Sequence, residues 1–213
     1  MTRELTAKGK ATQRRIIQGA SEVLRERGVA LATLDDVMAR TQTSKSQLCH
    51  YFPGGKDELL LAVAKFEADR VLAEQQPYLG SLDSWEAWQC WRDHLVERYE
   101  EQAAGCPLGA LFLHMGRTTP GARAVVVELM RAWQEDLACG IRALQRAGHL
   151  PADLDVEARS AALLAAIQGG VAILQATGQA YHLRMALDEG IAGLRRAALD
   201  HAAGSAGSRL AAL

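Results

Sequence analysis

The residues best suited to chemistry form one short run. Ser44-Lys45-Ser46-Gln47-Leu48-Cys49-His50-Tyr51 puts polar side chains at the front of a predicted helix of about seven residues. Behind them stands one apolar anchor, Leu48. Lys45 can reach guanine O6/N7 or a phosphate, Gln47 can form a bidentate pair with adenine, and Ser46 can contact either. These three are the expected base contacts. Thr33, Thr43, Ser44, His50, Tyr51 and Lys56 are the expected phosphate contacts. Lys56 opens the following helix, where free amides and the helix dipole also favour a phosphate. The bland alternative is that Lys45 and Gln47 are solvated helix residues and Lys56 a helix-start lysine. Of Tyr51 and Phe52, at least one should pack inward, and Phe52 is the expected core residue.

Other chemistries find no support. Cys49, Cys90, Cys106 and Cys139 are widely and irregularly spaced and form no C-x-x-C pair, and the six histidines form no H-x-x-x-H. Neither a metal site nor a disulfide framework is expected. An exposed Cys49 suggests a redox switch, but no partner stands near it in sequence. No nucleophile elbow, phosphate loop or paired-carboxylate pattern occurs, so neither catalytic residues nor a cofactor are expected. The first residues are polar and lack a signal-peptide core, and no long uncharged apolar run stands out. A cytoplasmic protein is therefore expected.

The elements that must position the polar run are helical. Composition favours helices, and apolar periodicity near 3.6 recurs between turn signals. A first helix is predicted over 10–27, burying Ile16, Ile17, Ala20, Val23 and Leu24 and stopped by Gly28. Thr33 should cap a second helix, with acids in its first turn and Leu34, Val37 and Met38 facing inward. Ser44 should cap the third over 45–51, and Phe52-Pro53-Gly54-Gly55 ends it. Three short helices with a tight connection between the last two describe a helix-turn-helix, whose final helix fits the major groove. Charge agrees. Residues 1–56 hold ten Lys/Arg against five Asp/Glu, a surplus of +5, which leaves −6 on the remainder of a chain of net charge −1. A basic head on an acidic body suits nucleic-acid binding.

A longer string carries a more specific signal. Thr33-Leu34-Asp35-Asp36-Val37-Met38-Ala39, followed by Ser44-Lys45-x-x-Leu48-x-His50-Tyr51-Phe52-Pro53-Gly54-Gly55-Lys56-Asp57-Glu58-Leu59-Leu60, closely resembles the DNA-binding domain of TetR-family regulators over about residues 12–62. Pro53-Gly54-Gly55-Lys56 and Gly105-Cys106-Pro107-Leu108-Gly109 resemble the LmrA/YxaF-like subgroup of drug-responsive repressors. The resemblance implies a homodimer on an inverted-repeat operator, released when a small-molecule effector spreads the two heads. Three departures stand out. The turn usually reads Ala-Gly-Val but here is Thr41-Gln42-Thr43, so Gln42 sits where glycine relieves positive φ. Ser46 replaces a frequent glycine. Cys49 replaces a tyrosine that often contacts phosphate, so that contact is not carried over.

The whole chain reads as all-α with about nine helices: a helix-turn-helix domain over 1–61, a ligand-binding and dimerisation domain over 62–203, and a frayed tail over 204–213. Trp85, Trp88 and Trp91 lie three apart on one helix, and a drift of about 60° per step spreads them over a broad face. They are either the aromatic wall of a ligand pocket or core packing. With them, Phe112, His114, Met115, Met130, Trp133, Gln134, Gln168, Val171 and Gln175 make up the expected pocket. Ala162, Ala166 and Gly170, with Leu187, Ile191 and Leu194, make up the expected dimer face, unless those stripes bury neighbours within the chain. The expected function is a ligand-responsive, operator-binding repressor. The alternatives are a helical small-molecule-binding or catalytic domain with nonspecific nucleic-acid affinity, and an activator of the same architecture.

Overall fold

A computed structural model describes residues 5–101 and 120–210. Among them are eight α-helices, one short 3-10 turn and no strand, so the all-α expectation holds. The Gly105-Cys106-Pro107-Leu108-Gly109 motif lies outside the described residues. The chain divides into two compact units. The first contains residues up to Val71 and those up to Leu129 at the start of a later helix; the second begins at Leu72 and resumes at Met130.

In the first unit, α1 (Ala7–Leu31) is capped by Thr6, whose Oγ1 accepts from the Gly9 amide at 3.2 Å. Gly28 interrupts it with φ 76 and ψ 160, a conformation essentially restricted to glycine, and a last turn closes beyond it. The stop predicted at Gly28 is therefore a sharp break. The helix α2 (Leu34–Thr41) opens with a reciprocal box: Thr33 Oγ1 accepts from the Asp36 amide at 3.2 Å, and the Asp36 carboxylate accepts from the Thr33 amide at 3.0 Å. After a three-residue connection, Gln42 to Ser44, comes α3 (Lys45–Tyr51), and α4 (Gly55–Ala73) follows. Ile16, Ala20, Val23, Leu24, Val37, Leu48, Phe52 and Val63 form the small core. Ile17, Leu34 and Met38 were expected inside but are only half-buried: the short α2 and α3 cover little more than one stripe of α1, and the eight residues of α2 bury little more than Val37.

A carboxylate lies inside this core. Glu67 on α4 is fully buried and accepts hydrogen bonds from the Ser21 hydroxyl and from Arg25, at 2.8 and 3.1 Å. Arg70 adds an ion pair at 3.1 Å. The group clasps α1 to α4.

The second unit holds the 3-10 turn Leu79–Ser81, α5 (Trp85–Glu101), the rest of α6 (Pro120–Arg146), α7 (Val156–Thr177) and α8 (Tyr181–Leu210). The last helix continues through Gly204 to Leu210, beyond the end expected near Ala202. α7 and α8 pack as a close hairpin. A Cβ on Gly170 would lie 2.5 Å from the Leu183 Cα, and one on Gly190 would lie 2.4 Å from a Leu163 methyl. The stripe Leu183, Leu187, Ile191 and Leu194 is at most 3% exposed within the single chain. α7 is long and apolar enough, by length and composition, to cross a membrane. Its mean hydropathy reaches 1.5 over 18 residues, and 39% of that window is buried within the chain. Ser160 and Gln168 interrupt the apolar run in the sequence.

Candidate nucleic-acid interface

Local rules build the presenting helix. Ser44 caps α3: its Oγ accepts from the Gln47 amide at 3.2 Å, while Gln47 Oε1 accepts from the Ser44 amide at 3.2 Å. This second capping box fixes the front of α3, and buried Leu48 and Phe52 fix its back. Lys45, Ser46, Gln47 and His50 are all exposed, and Tyr51 is half-buried with its ring edge-on to His50 at 5.0 Å. Lys45 has no hydrogen-bond or ion-pair partner among the described residues. Gln47 has its carbonyl oxygen in the cap, so a bidentate pair with adenine would have to break that bond, whereas single donation from Nε2 would not.

The connection carries the strain expected at Gln42. This residue ends α2 at φ 50 and ψ 42, in the left-handed region, with its amide bonded to the Met38 carbonyl. Thr41 and Thr43 turn inward beside it. Thr43 was expected to contact phosphate but is only 4% exposed; its hydroxyl accepts from Thr41 Oγ1 at 2.9 Å and donates to the Thr41 carbonyl at 3.3 Å. The short turn leaves two small hydroxyls to satisfy each other inside, which removes Thr43 from the surface. Ser44 and His50 remain outside.

Two other phosphate candidates have partners within the chain. The Thr33 hydroxyl donates to the Asp36 carboxylate at 2.7 Å. This bond, the Thr33 amide and nearby Arg27 hold the Asp36 carboxyl below the usual range, against a small opposing effect of desolvation. Half-buried Lys56 gives its ammonium to the Ala32 carbonyl at 2.7 Å and so ties the start of α4 to the end of α1. Arg40 is held by Glu22 at 3.0 Å and Glu26 at 2.5 Å, and Arg27 by Asp36 at 2.7 Å. Part of the basic surplus is thus neutralised internally, while Lys8, Arg14 and Arg15 on α1 stay exposed. Cys49 is exposed.

The second unit sorts its predicted residues differently. Trp88 and Trp91 are fully buried and edge-on to each other at 5.7 Å, and Trp133 is also buried. Trp91 Nε1 donates to Gln75 Oε1 at 3.0 Å; buried Gln75 was missed in the sequence. Its signal was weak, a glutamine two residues past the end of α4 and two before Pro77. Trp85 is only half-buried, at the edge of the broad face that the three tryptophans span. Three buried donors, Trp88 Nε1, Trp133 Nε1 and Gln168 Nε2, have no hydrogen-bond partner among the described residues. Val171 is buried and Met130 and Gln134 are half-buried, but Gln175 is exposed and does not join an interior pocket. Phe112, His114 and Met115 lie outside the described residues.

The expected dimer face also divides. Gly170, Leu187, Ile191 and Leu194 are consumed by the α7–α8 hairpin inside one chain, since their stripes fit each other. Ala162 is exposed and Ala166 is half-buried; both line a shallow groove of about 360 Å3 with Gly190 and Gly193. Gly169 and Ile173 continue the same exposed side of α7.

A short capped helix, polar in front, anchored behind and presented through a tight turn, defines a helix-turn-helix DNA-binding protein. The family follows from two matches: residues 16–63 fit the bacterial regulatory proteins, tetR family, and residues 86–189 fit the tetracyclin repressor-like C-terminal domain. The chain belongs to the TetR family of transcriptional regulators. It is 28% identical over 108 residues to the HTH-type transcriptional regulator Rv0196 of Mycobacterium tuberculosis, covering 48% of this chain and 52% of that one. The chain thus spans about half the length of that relative. YxaF of Bacillus subtilis, another HTH-type transcriptional regulator, is 24% identical over 61% of this chain and 69% of its own. The regulatory protein TetR from Rhodobacter sphaeroides superposes with a TM-score of 0.71 at 21% identity, covering 84% of this chain and 97% of that one. The family and the relatives' names describe regulators of transcription, not enzymes.

Proposed function

We propose that the chain is a ligand-responsive repressor, in or near the YxaF-like subgroup, that binds an operator as a homodimer. The front of α3 carries this reading: Lys45, Ser46 and Gln47 stand exposed on a helix fixed by a capping box and by Leu48. Ser44, His50 and Tyr51 supply phosphate contacts, with the remaining donors of Lys56. Two such helices from two copies would enter successive major grooves about 34–36 Å apart.

Dimerisation is supported by the outer side of α7. Ala162, Ala166, Gly169 and Ile173 recur at helical spacing on a side that is exposed or half-buried among the described residues. Their small size lets a second α7–α8 hairpin approach closely, as in a four-helix bundle. The effector reading is supported by the unpartnered buried donors of Trp88, Trp133 and Gln168. Buried N–H groups are normally paired, so a ligand with carbonyl or other acceptor oxygens would complete them. Ligand binding would favour a head spacing that mismatches the operator, and operator DNA must then weaken ligand binding by the same factor.

Gel shift against the DNA upstream of the protein's own gene tests the central claim. Lys45→Ala with Gln47→Ala should abolish specific binding and lower the thermal melt only slightly, since Gln47 supplies one half of the capping box with Ser44. Specific binding that persists in that variant refutes the reading helix. A helical binder with nonspecific nucleic-acid affinity would instead show a steep salt dependence and no operator preference. Transcription measured with and without the gene separates repression from activation.

A further inference from the structure

We propose a second small-molecule site, on the outside of the C-terminal unit, suited to an amphipathic aromatic anion. A groove of about 730 Å3 opens between the start of α5, the connection after α6 and the C-terminal half of α8. That volume falls within the usual range for small organic ligands. The indole of Trp85 forms one wall. The Arg195 guanidinium lies over that ring, 5.5 Å from its centroid, and the His149 ring lies 6.5 Å from it. His201 lines the same groove, and Leu199, 70% exposed, supplies apolar surface.

Arg195, like Arg131, Arg146 and Arg159, has no ion pair among the described residues, but it alone of these lies over an aromatic ring, while five other arginines of this unit are tied to carboxylates. Arg92 pairs with Asp188, Arg98 with Glu74, Arg142 with Glu135 and Glu157, Arg184 with Glu100, and the adjacent Arg196 with Glu189. Arg195 has no carboxylate within ion-pair distance among the described residues. Stacking on Trp85 uses the face of the guanidinium and leaves its in-plane N–H donors for a planar anion. A carboxylate or sulfonate matches that fork, while its aromatic body has Trp85, His149 and Leu199 to lie against. Glu86 also lines the groove and opposes an anion on its own side, which confines the charged group to the side of Arg195 and the two histidines. A bound cation would have to displace Arg195 from the indole face.

Arg195 is turned from the side proposed for the dimer: at 100° per residue it points about 140° from Gly190 and about 160° from Gly193, which border the other groove of α8. The site is distinct from the interior donors and is read without DNA.

Calorimetric titration of the full chain with 2-naphthoate tests it. Saturable binding is expected, weakened about tenfold or more by Arg195→Gln, the scale of one charge-assisted hydrogen bond. Leu199→Glu, a surface change that adds a like charge at the rim, should also weaken it. The cationic twin, 2-naphthylmethylammonium, should bind more weakly, and Trp133→Phe in the interior should leave 2-naphthoate binding unchanged. Four results would overturn the proposal: no saturable binding in the millimolar range, equal affinity in Arg195→Gln, tighter binding of the cation, or loss of binding in Trp133→Phe.

Discussion

Replacing Glu67 with glutamine should loosen the helix-turn-helix unit more than any surface charge change. Its carboxylate is fully buried and accepts from Ser21, from Arg25 at 2.8 and 3.1 Å, and from Arg70 at 3.1 Å. The amide keeps the shape but removes the charge, and its NH2 group faces donors. Breaking a buried pair from one side costs about 3–5 kcal/mol, because the remaining charge is left uncompensated. Here the arginine side chains are 30% and 24% exposed, so they can recover part of their hydration. The lower end applies, about 3 kcal/mol. For a chain of this size that lowers the melting temperature by about 6–12 °C. The control is Arg40→Ala, which removes two solvent-screened pairs and should shift the melt far less. Both would be read by thermal and urea unfolding followed by circular dichroism at fixed protein concentration, since a dimer's stability depends on it. If Glu67→Gln melts within a degree or two of the parent, or no lower than Arg40→Ala, the clasp between α1 and α4 is not electrostatic and the argument fails.

Three further outcomes follow from local geometry. Gln42→Gly should stabilise the protein by about 0.5–1 kcal/mol in urea unfolding, because a left-handed φ costs glycine nothing; a loss of stability would mean that the glutamine side chain contributes a contact. Gly170→Ala should destabilise by about 1–3 kcal/mol, since the added methyl meets Leu183 backbone that cannot swing away; an unchanged melt would show that the hairpin has slack. Asp36 has a folded pKa held below its unfolded value, so its contribution is present above the unfolded pKa and is lost as pH falls through the folded one. Thr33→Ala should therefore move the NMR titration midpoint of the Asp36 carboxyl upward, and no movement would refute the role of the Thr33 hydroxyl.

Legibility in the sequence tracks the distance over which a rule acts. The caps at Thr33 and Ser44, the break at Gly28, the left-handed Gln42 and the anchor Leu48 are set by neighbours within four residues, and each stands where the sequence puts it. Periodicity also marks apolar stripes correctly, but a stripe does not say which partner covers it. Leu187, Ile191 and Leu194 read equally well as a face between two chains or within one, and the close approach of Gly170 to Leu183 decides for one. Ala162 and Ala166, which share that reading, stay on the outer side of α7. Glu67 shows the same limit from the polar side. It falls on the stripe Leu60, Val63, Ala64, which should have marked it as buried. Arg70 is within the i,i+3 rule, but Ser21 and Arg25 lie 46 and 42 residues away on α1, beyond the reach of any spacing rule. Thr43 is the converse: a hydroxyl in a turn reads as surface until Thr41 folds in beside it. Polar groups that enter the core do so in sets, and a set becomes visible only when the helices that carry its members meet.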